Sequence, residues 1–236
     1  MEAAVMLRFY GQPKFKIMND GMTRVGYELF IRELQDNRWV LPADFTACTP
    51  DQLEQLLMQT IAALPAGIEL ISFNLEQSQF IDDRFIEMVK RVQATTAIKI
   101  FTELTERTSP NVSTAQLRAA AAKFHAANLL VCIDDVGTGD NTPDMVVALD
   151  EYIDEYKFAL QNFRPFNRIS EITATINFWY KMAADRGKML AIEGLENESD
   201  YDTIKQYYPC DVIQGYYTGK PELLQVAADM PSNLID

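Results

Sequence analysis

Residues 129–135 read Leu-Leu-Val-Cys-Ile-Asp-Asp. An unbroken apolar run ends abruptly in two carboxylates. It does not alternate polar with apolar, so both of its faces are expected to be covered, as in a strand of a parallel sheet flanked by helices. The same kind of run recurs along the chain at 15–18, 24–30, 68–74, 98–103, 152–158, 189–193 and 211–214, which with 129–134 makes eight. Amphipathic segments lie between them. Leu53, Leu56, Leu57 and Ile61 stripe a helix over 52–64 behind Pro50-Asp51. Phe85, Met88, Val89 and Val92 stripe another over 81–92. Thr114 is placed to cap an Ala-rich helix over 115–127, Pro165 to start a long segment ending near Gly187, and a last helix covers 198–208. Strands alternating with helices in this number predict a closed barrel rather than an open sheet. The first two strands are joined only by Asn19-Asp20-Gly21, too short for a helical crossover, so they should form an antiparallel hairpin. The expected fold is α/β, a modified (β/α)8 TIM-like barrel with an antiparallel first strand, occupying residues 1–236 as a single domain.

The ends of the runs share a second property. They finish near Glu28, at Asn74, at Glu103, at Asp134-Asp135, near Lys157, at Glu193 and at Gln214. In such a barrel the C-terminal ends of the strands converge on one mouth, where active sites sit. Any one polar residue there could simply lead into a solvated loop; the succession is what argues for a site. Five carboxylates gathered in one pocket raise one another's pKa unless cations neutralise them. Oxygen-only ligands fit Mg²⁺ or Mn²⁺ rather than Zn²⁺. Asp134-Asp135 could serve two ions about 3.5–4 Å apart, the spacing used for in-line phosphoryl displacement. A lysine in that place balances charge, holds a water or binds phosphate.

Composition narrows the partners. Among 236 residues, 48% hydrophobic, 21 basic residues face 34 acidic ones, a net charge of −13. That charge argues against a nucleic-acid polymer or an anionic membrane surface as partner. Cys48, Cys132 and Cys210 show no paired spacing, so neither a disulfide framework nor a thiolate zinc site is expected. The single histidine, His125, lies in the Ala-rich helix and reads as a helix-surface or core residue. No leader and no membrane-length apolar run is visible, and a cytoplasmic protein is expected.

Six motifs stand in order: Tyr27-Glu28-Leu29-Phe30-Ile31-Arg32, Phe73-Asn74-Leu75, Glu103-Leu104-Thr105-Glu106, Asp134-Asp135-Val136-Gly137-Thr138-Gly139, Glu193-Gly194-Leu195-Glu196 and Gln214-Gly215-Tyr216-Tyr217. In this order and spacing the chain resembles the EAL domain, the cyclic di-GMP phosphodiesterase module, from about Tyr10 to Pro221. The resemblance implies that Glu28, Asn74, Glu103 and Asp134 hold one Mg²⁺ or Mn²⁺, and that Asp134 and Asp135 face a second. It implies that Lys157 and Glu193 position or activate the attacking water, that Gln214 contacts the nucleotide side and that Arg32 grips a substrate phosphate. Glu106 would brace the loop after Asp134. Gly137 and Gly139 would make that loop flexible, linking a homodimer interface to the metals. The substrate would be cyclic di-GMP and the product linear pGpG.

The sequence departs from the family pattern at Lys157-Phe158-Ala159, where the family has Lys-x-Asp, and at Val136 and Asp140-Asn141-Thr142 in the loop. Two readings follow. In one the chain is a working, metal-dependent cyclic di-GMP phosphodiesterase. In the other it is a catalytically degenerate EAL-like module that serves as a cyclic di-GMP receptor or protein-binding regulator.

Overall fold

The computed structural model describes residues 6–227. The chain opens with β1 (Leu7–Met18) and β2 (Gly21–Gln35), a long hairpin turning at Asn19-Asp20, and adds a short β3 (Arg38–Val40). Then follow α1 (Pro50–Ala63), β4 (Leu70–Leu75), α2 (Gln77–Phe80), α3 (Asp83–Gln93), β5 (Lys99–Leu104), α4 (Thr114–Ala126), β6 (Leu130–Ile133) and α5 (Pro143–Leu149). The series closes with β7 (Glu155–Ala159), α6 (Thr173–Arg186), β8 (Met189–Glu193), α7 (Glu198–Tyr207), β9 (Val212–Ile213) and β10 (Glu222–Leu223).

Eight of these strands close a barrel in the order β1-β2-β4-β5-β6-β7-β8-β9, with β9 returning to β1 at Phe15–Ile213. Neighbours from β2 through β9 pair in parallel, and β1 is antiparallel to both of its neighbours. The expected barrel with its antiparallel first strand is the observed one. β3 and β10 extend it at the edges and carry no clear apolar run in the sequence.

Side-chain alternation divides each strand between two cores. Ile71, Phe73 and Leu75 of β4 point outward to the helices and are buried with Met88, Val89 and Val92 of α3. The other face points into the barrel. There Val25, Leu70, Phe101, Cys132, Ala191 and Val212 form a small apolar floor. The residues two positions further along are Ser72, Glu103, Asp134, Glu193 and Gln214, with Asn74 two beyond Ser72, so the barrel turns from apolar to ionic on the way to its mouth.

Several boundaries differ from the sequence reading. Glu28 lies in the middle of β2 rather than near its end, because the hairpin carries pairing on to Gln35. The cap of α4 is Ser113, not Thr114. Its hydroxyl accepts the Gln116 N–H while Gln116 accepts the Ser113 N–H, a capping box that leaves Thr114 as the first helical residue. The segment after Pro165 is not a helix from its start. Arg164 and Arg168 are extended and the 160–172 stretch makes only short 3₁₀ turns, so α6 begins at Thr173 and is capped after Arg186 by Gly187, whose φ is +65°. His125 is on the exposed surface of α4, and all three cysteines are free. No helix among the described residues is long and apolar enough to cross a membrane.

Candidate metal centre

A cavity of about 620 Å³ opens at the mouth. Glu28, Asn74, Asp134, Asp135, Glu193 and Gln214 line it, as do Lys157, Glu106 and Arg32. Glu103 is fully buried just beneath. Residues separated by most of the chain's length therefore meet in one place because strand closure brings their ends together.

Lys157 organises the floor. Its Nζ lies 2.7 Å from Glu103 Oε2, 2.8 Å from Asp134 Oδ1, 3.1 Å from Glu28 Oε2 and 3.3 Å from Glu193 Oε2. Burial disfavours the ammonium, but these four carboxylates outweigh it and hold its pKa well above the ordinary lysine value. Glu28 is satisfied from three sides, also accepting Asn74 Nδ2 at 3.2 Å and Gln214 Nε2 at 2.8 Å. Gln12 of β1, directly opposite Glu28, accepts the second Gln214 N–H at 3.0 Å.

The carboxyls do not share one protonation behaviour. Burial, with the nearby charges of Glu28 and Asp135, pushes Glu193 up to about 8. Burial and the charge of Asp134 push Asp135 up to about 6. Asp134 is raised well above the usual carboxylate range, again chiefly by burial. Glu103 goes the other way: burial would raise it, but Lys14 and Lys157 together hold it far below the ordinary value. Lys14 was not among the residues singled out from the sequence. It precedes the apolar run at 15–18 by one residue, and only the antiparallel pairing of β1 aims it inward below Glu28, where it is 1% exposed. The buried acid Glu155, two residues before Lys157 and on the same strand face, likewise carries no end-of-run signal in the sequence.

The turn after β6 is tightly held. Asp135 takes φ +48° as the chain leaves the strand. Asn141, fully buried, donates its side-chain N–H to the Asp134 carbonyl, and the Asp140 N–H donates to the Glu106 carbonyl at 3.0 Å. Gln77 donates to Asp140 at 3.2 Å, and Thr142 caps α5. Gly137 (φ +90°) and Gly139 (φ +48°) sit where backbone geometry and space call for glycine: a Cβ at Gly139 would stand 2.5 Å from the Glu106 carbonyl oxygen, and one at Gly137 would stand 2.8 Å from Trp179 Nε1. Glu106 thus meets the loop through its carbonyl, which accepts the Asp140 N–H. Its carboxylate also lies with those of Asp134 and Asp135, one oxygen from each falling within 4.8 Å of the others. Arg32 stands at the rim with its guanidinium 5.2 Å from the Tyr10 ring centroid.

These residues fit divalent cations. Asn74 Oδ1 and Asp135 Oδ1 are buried oxygens with no hydrogen-bond partner, and every donor in the group is oxygen. An unpartnered buried acceptor beside carboxylates lacks what a hard cation supplies. Ala159 contributes no donor. It ends β7 in register with Glu193, 1% exposed.

A family model for the EAL domain matches residues 6–221. No curated protein matches the chain in sequence. Among solved structures, the PaMucR phosphodiesterase in complex with c-di-GMP is similar at 20% identity and TM-score 0.72, over 92% of this chain and 97% of that one. The EAL domain of FimX from Pseudomonas aeruginosa, bound to c-di-GMP, is similar at 16% identity and TM-score 0.70, over 92% and 90%. The Bacillus subtilis YkuI protein, with an EAL domain, in complex with substrate c-di-GMP and calcium, is similar at 19% identity and TM-score 0.72; the alignment covers 92% of this chain and 55% of YkuI. At these identities the likeness is one of fold.

Proposed function

The chain belongs to the EAL domain family, and from that premise we propose that it is a cytoplasmic, metal-dependent phosphodiesterase that hydrolyses cyclic di-GMP to linear pGpG. The observation that carries this reading is the convergence of Glu28, Asn74, Glu103, Asp134 and Asp135 beneath a cavity large enough for a dinucleotide. Residues 1–236 are read as one barrel domain.

Glu28, Asn74, Glu103 and Asp134 would hold one Mg²⁺ or Mn²⁺, and Asp134 and Asp135, with Glu106 beside them, a second. Bound there, the ions would lower the pKa of water and offset charge on the phosphate. The protein's own groups do the rest. Arg32 at the rim offers a forked donor to a phosphate. Gln214, fixed by Glu28 and Gln12, orients the nucleotide side of the floor. Lys157 holds the acidic groups together and can donate to a water at the floor. Glu193, held at the cavity floor 3.3 Å from the Lys157 ammonium, places a carboxyl where it can exchange a proton with a water there. Cations at this floor also explain how a chain of charge −13 accepts a dianionic ligand.

A second reading is favoured by one observation. Ala159 puts a methyl where the family carries an acid, so the chain could bind cyclic di-GMP without turning it over, as a receptor or regulator. Chromatography of cyclic di-GMP incubated with the protein and Mg²⁺ or Mn²⁺ separates the two readings. Accumulation of pGpG supports the enzyme, and binding in Ca²⁺ without pGpG in any metal overturns it in favour of the receptor.

A further inference from the structure

Glu103 carries an ammonium on each oxygen. Lys157 Nζ is 2.7 Å from Oε2 and Lys14 Nζ is 2.9 Å from Oε1. The two lysines differ in their freedom. Lys157 reaches the floor at the level of the cavity and has four carboxylates around it, so it can shift among partners when another cation arrives. Lys14 enters one layer lower from the middle of β1, opposite Gly26, and is 1% exposed. After Glu103, the acid whose charge most favours its ammonium is Glu155, which is also 1% exposed. Lys14 does not line the cavity, and its ion pair among the described residues is with Glu103, so no second acid at the mouth competes for it.

A divalent ion on Glu103 would therefore stand one ligand bond and one hydrogen bond away from a fixed positive charge. In a buried site that repulsion is only partly screened. We infer that Lys14 is a built-in counter-cation for Glu103 that weakens the Glu28–Asn74–Glu103–Asp134 site for its divalent ion, making Lys14 the residue that sets the metal affinity of this chain. The inference rests on the reading that the mouth holds divalent cations.

The experiment is Mn²⁺ titration of the full chain, with free Mn²⁺ read by electron paramagnetic resonance, for the wild type, Lys14→Met and the site control Glu28→Gln. Lys14→Met should bind its first Mn²⁺ about tenfold or more tightly than the wild type, because a nearby like charge has gone. Thermal melting is recorded alongside. Equal or weaker Mn²⁺ binding by Lys14→Met overturns the inference, even if its melting temperature changes, since that pattern belongs to a purely structural lysine. Where Lys14→Met does not fold, Lys14→Gln, neutral and still able to donate to Glu103, is read in its place with the same expectation. If neither wild type nor variant binds Mn²⁺ in a Glu28-dependent way at millimolar concentration, the metal reading itself falls and takes the inference with it.

Discussion

Glu28 and Lys157 stand 129 residues apart in sequence and 3.1 Å apart at the floor of the barrel mouth. They come from β2 and β7, which never pair with each other, so their contact exists only because the sheet closes. Glu28→Gln tests what that contact is for. The amide keeps the shape and its one oxygen can still accept from Gln214 or from Asn74, but not from both, and it loses the charge a divalent ion needs. Outer-shell partners of a metal cost about 10–100-fold when removed, so loss of a direct ligand should cost at least about 100-fold in turnover. Stability should be kept or rise, since one of the acids crowding Lys157 has been neutralised. Near wild-type hydrolysis by this variant would show that Glu28 is no ligand.

Metal removal gives a second expectation. EDTA should abolish pGpG formation, and Mg²⁺ or Mn²⁺ should restore it. Calcium should support nucleotide binding without turnover, because its larger and looser coordination shell suits the geometry of displacement poorly. Isothermal titration in Ca²⁺ and chromatography in Mn²⁺ measure the two halves. Full activity in EDTA sinks the metal mechanism.

The raised carboxyls set a pH dependence of stability in the metal-free protein. Glu193 moves from 4.5 to about 8 on folding and Asp135 from 3.8 to about 6, so between these limits the native state holds more protons than the unfolded one. Stability from these two groups is fully present below pH 4 and is lost as pH rises through 6 and then 8. Glu103 has the opposite sign, but its contribution disappears only in acid, below its unfolded value of 4.5. Urea midpoints in EDTA should therefore fall from pH 5.5 to 8.5, at up to more than about 1 kcal/mol per pH unit for each whole proton. Glu193→Gln should flatten the slope; an unchanged slope would remove Glu193 as its source.

Much of this site is legible in the sequence because the barrel has a simple rule: a polar residue that ends an apolar run arrives at the mouth. Asn74, Glu103, Asp134 and Glu193 obey it. The rule fails for β1, which runs the other way. Its inward residues, Gln12 and Lys14, reach the site from the side of the hairpin, and nothing in a local pattern distinguishes a buried Lys14 from the exposed Lys16 two positions on. Glu155 escapes for another reason: the rule looks at the ends of runs, and Glu155 stands in the middle of the run at 152–158. The short elements β3, α2, α5 and β10 are fixed by edge pairing and capping rather than by periodicity. In the segment after Pro165 a helix start signal is real in composition but overridden by the extended residues Arg164 and Arg168.

The turn that carries Asp134 and Asp135 can be tested through its glycines. Gly139→Ala must adopt φ +48° and place a Cβ 2.5 Å from the Glu106 carbonyl oxygen. Gly187→Ala meets a similar φ, +65°, with nothing within 4 Å of the new Cβ. Both should lose about 1–2 kcal/mol to the left-handed backbone. Gly139→Ala should lose more and should also weaken Mn²⁺ binding, because the clash pushes on the segment bonded to Asp140 and Asn141. Equal melting temperatures for the two variants would refute the close approach at Glu106.

On the proposed reading, the position that divides enzyme from receptor is Ala159. It lies two residues past Lys157 on the same strand, so both side chains point into the barrel, and its backbone is in register with Glu193. An aspartate there would add an oxygen donor beside Asp135 and Glu193, where a second cation or its water could use it. Ala159→Asp should raise pGpG formation about tenfold, equivalent to about 1.4 kcal/mol off the barrier. The opposing effect is another negative charge in a pocket where burial already pushes Glu193 up to about 8. In metal-free protein that charge should lower the melting temperature, and Mn²⁺ should recover the loss by binding the native state. Activity measured across a Mn²⁺ titration separates the two effects: a gain at low Mn²⁺ that closes at saturation assigns Ala159 to holding the second ion, and a gain that persists at saturation assigns it to the reaction itself. No gain at any Mn²⁺ concentration, with Mn²⁺ binding intact, would move the weak point elsewhere on the floor.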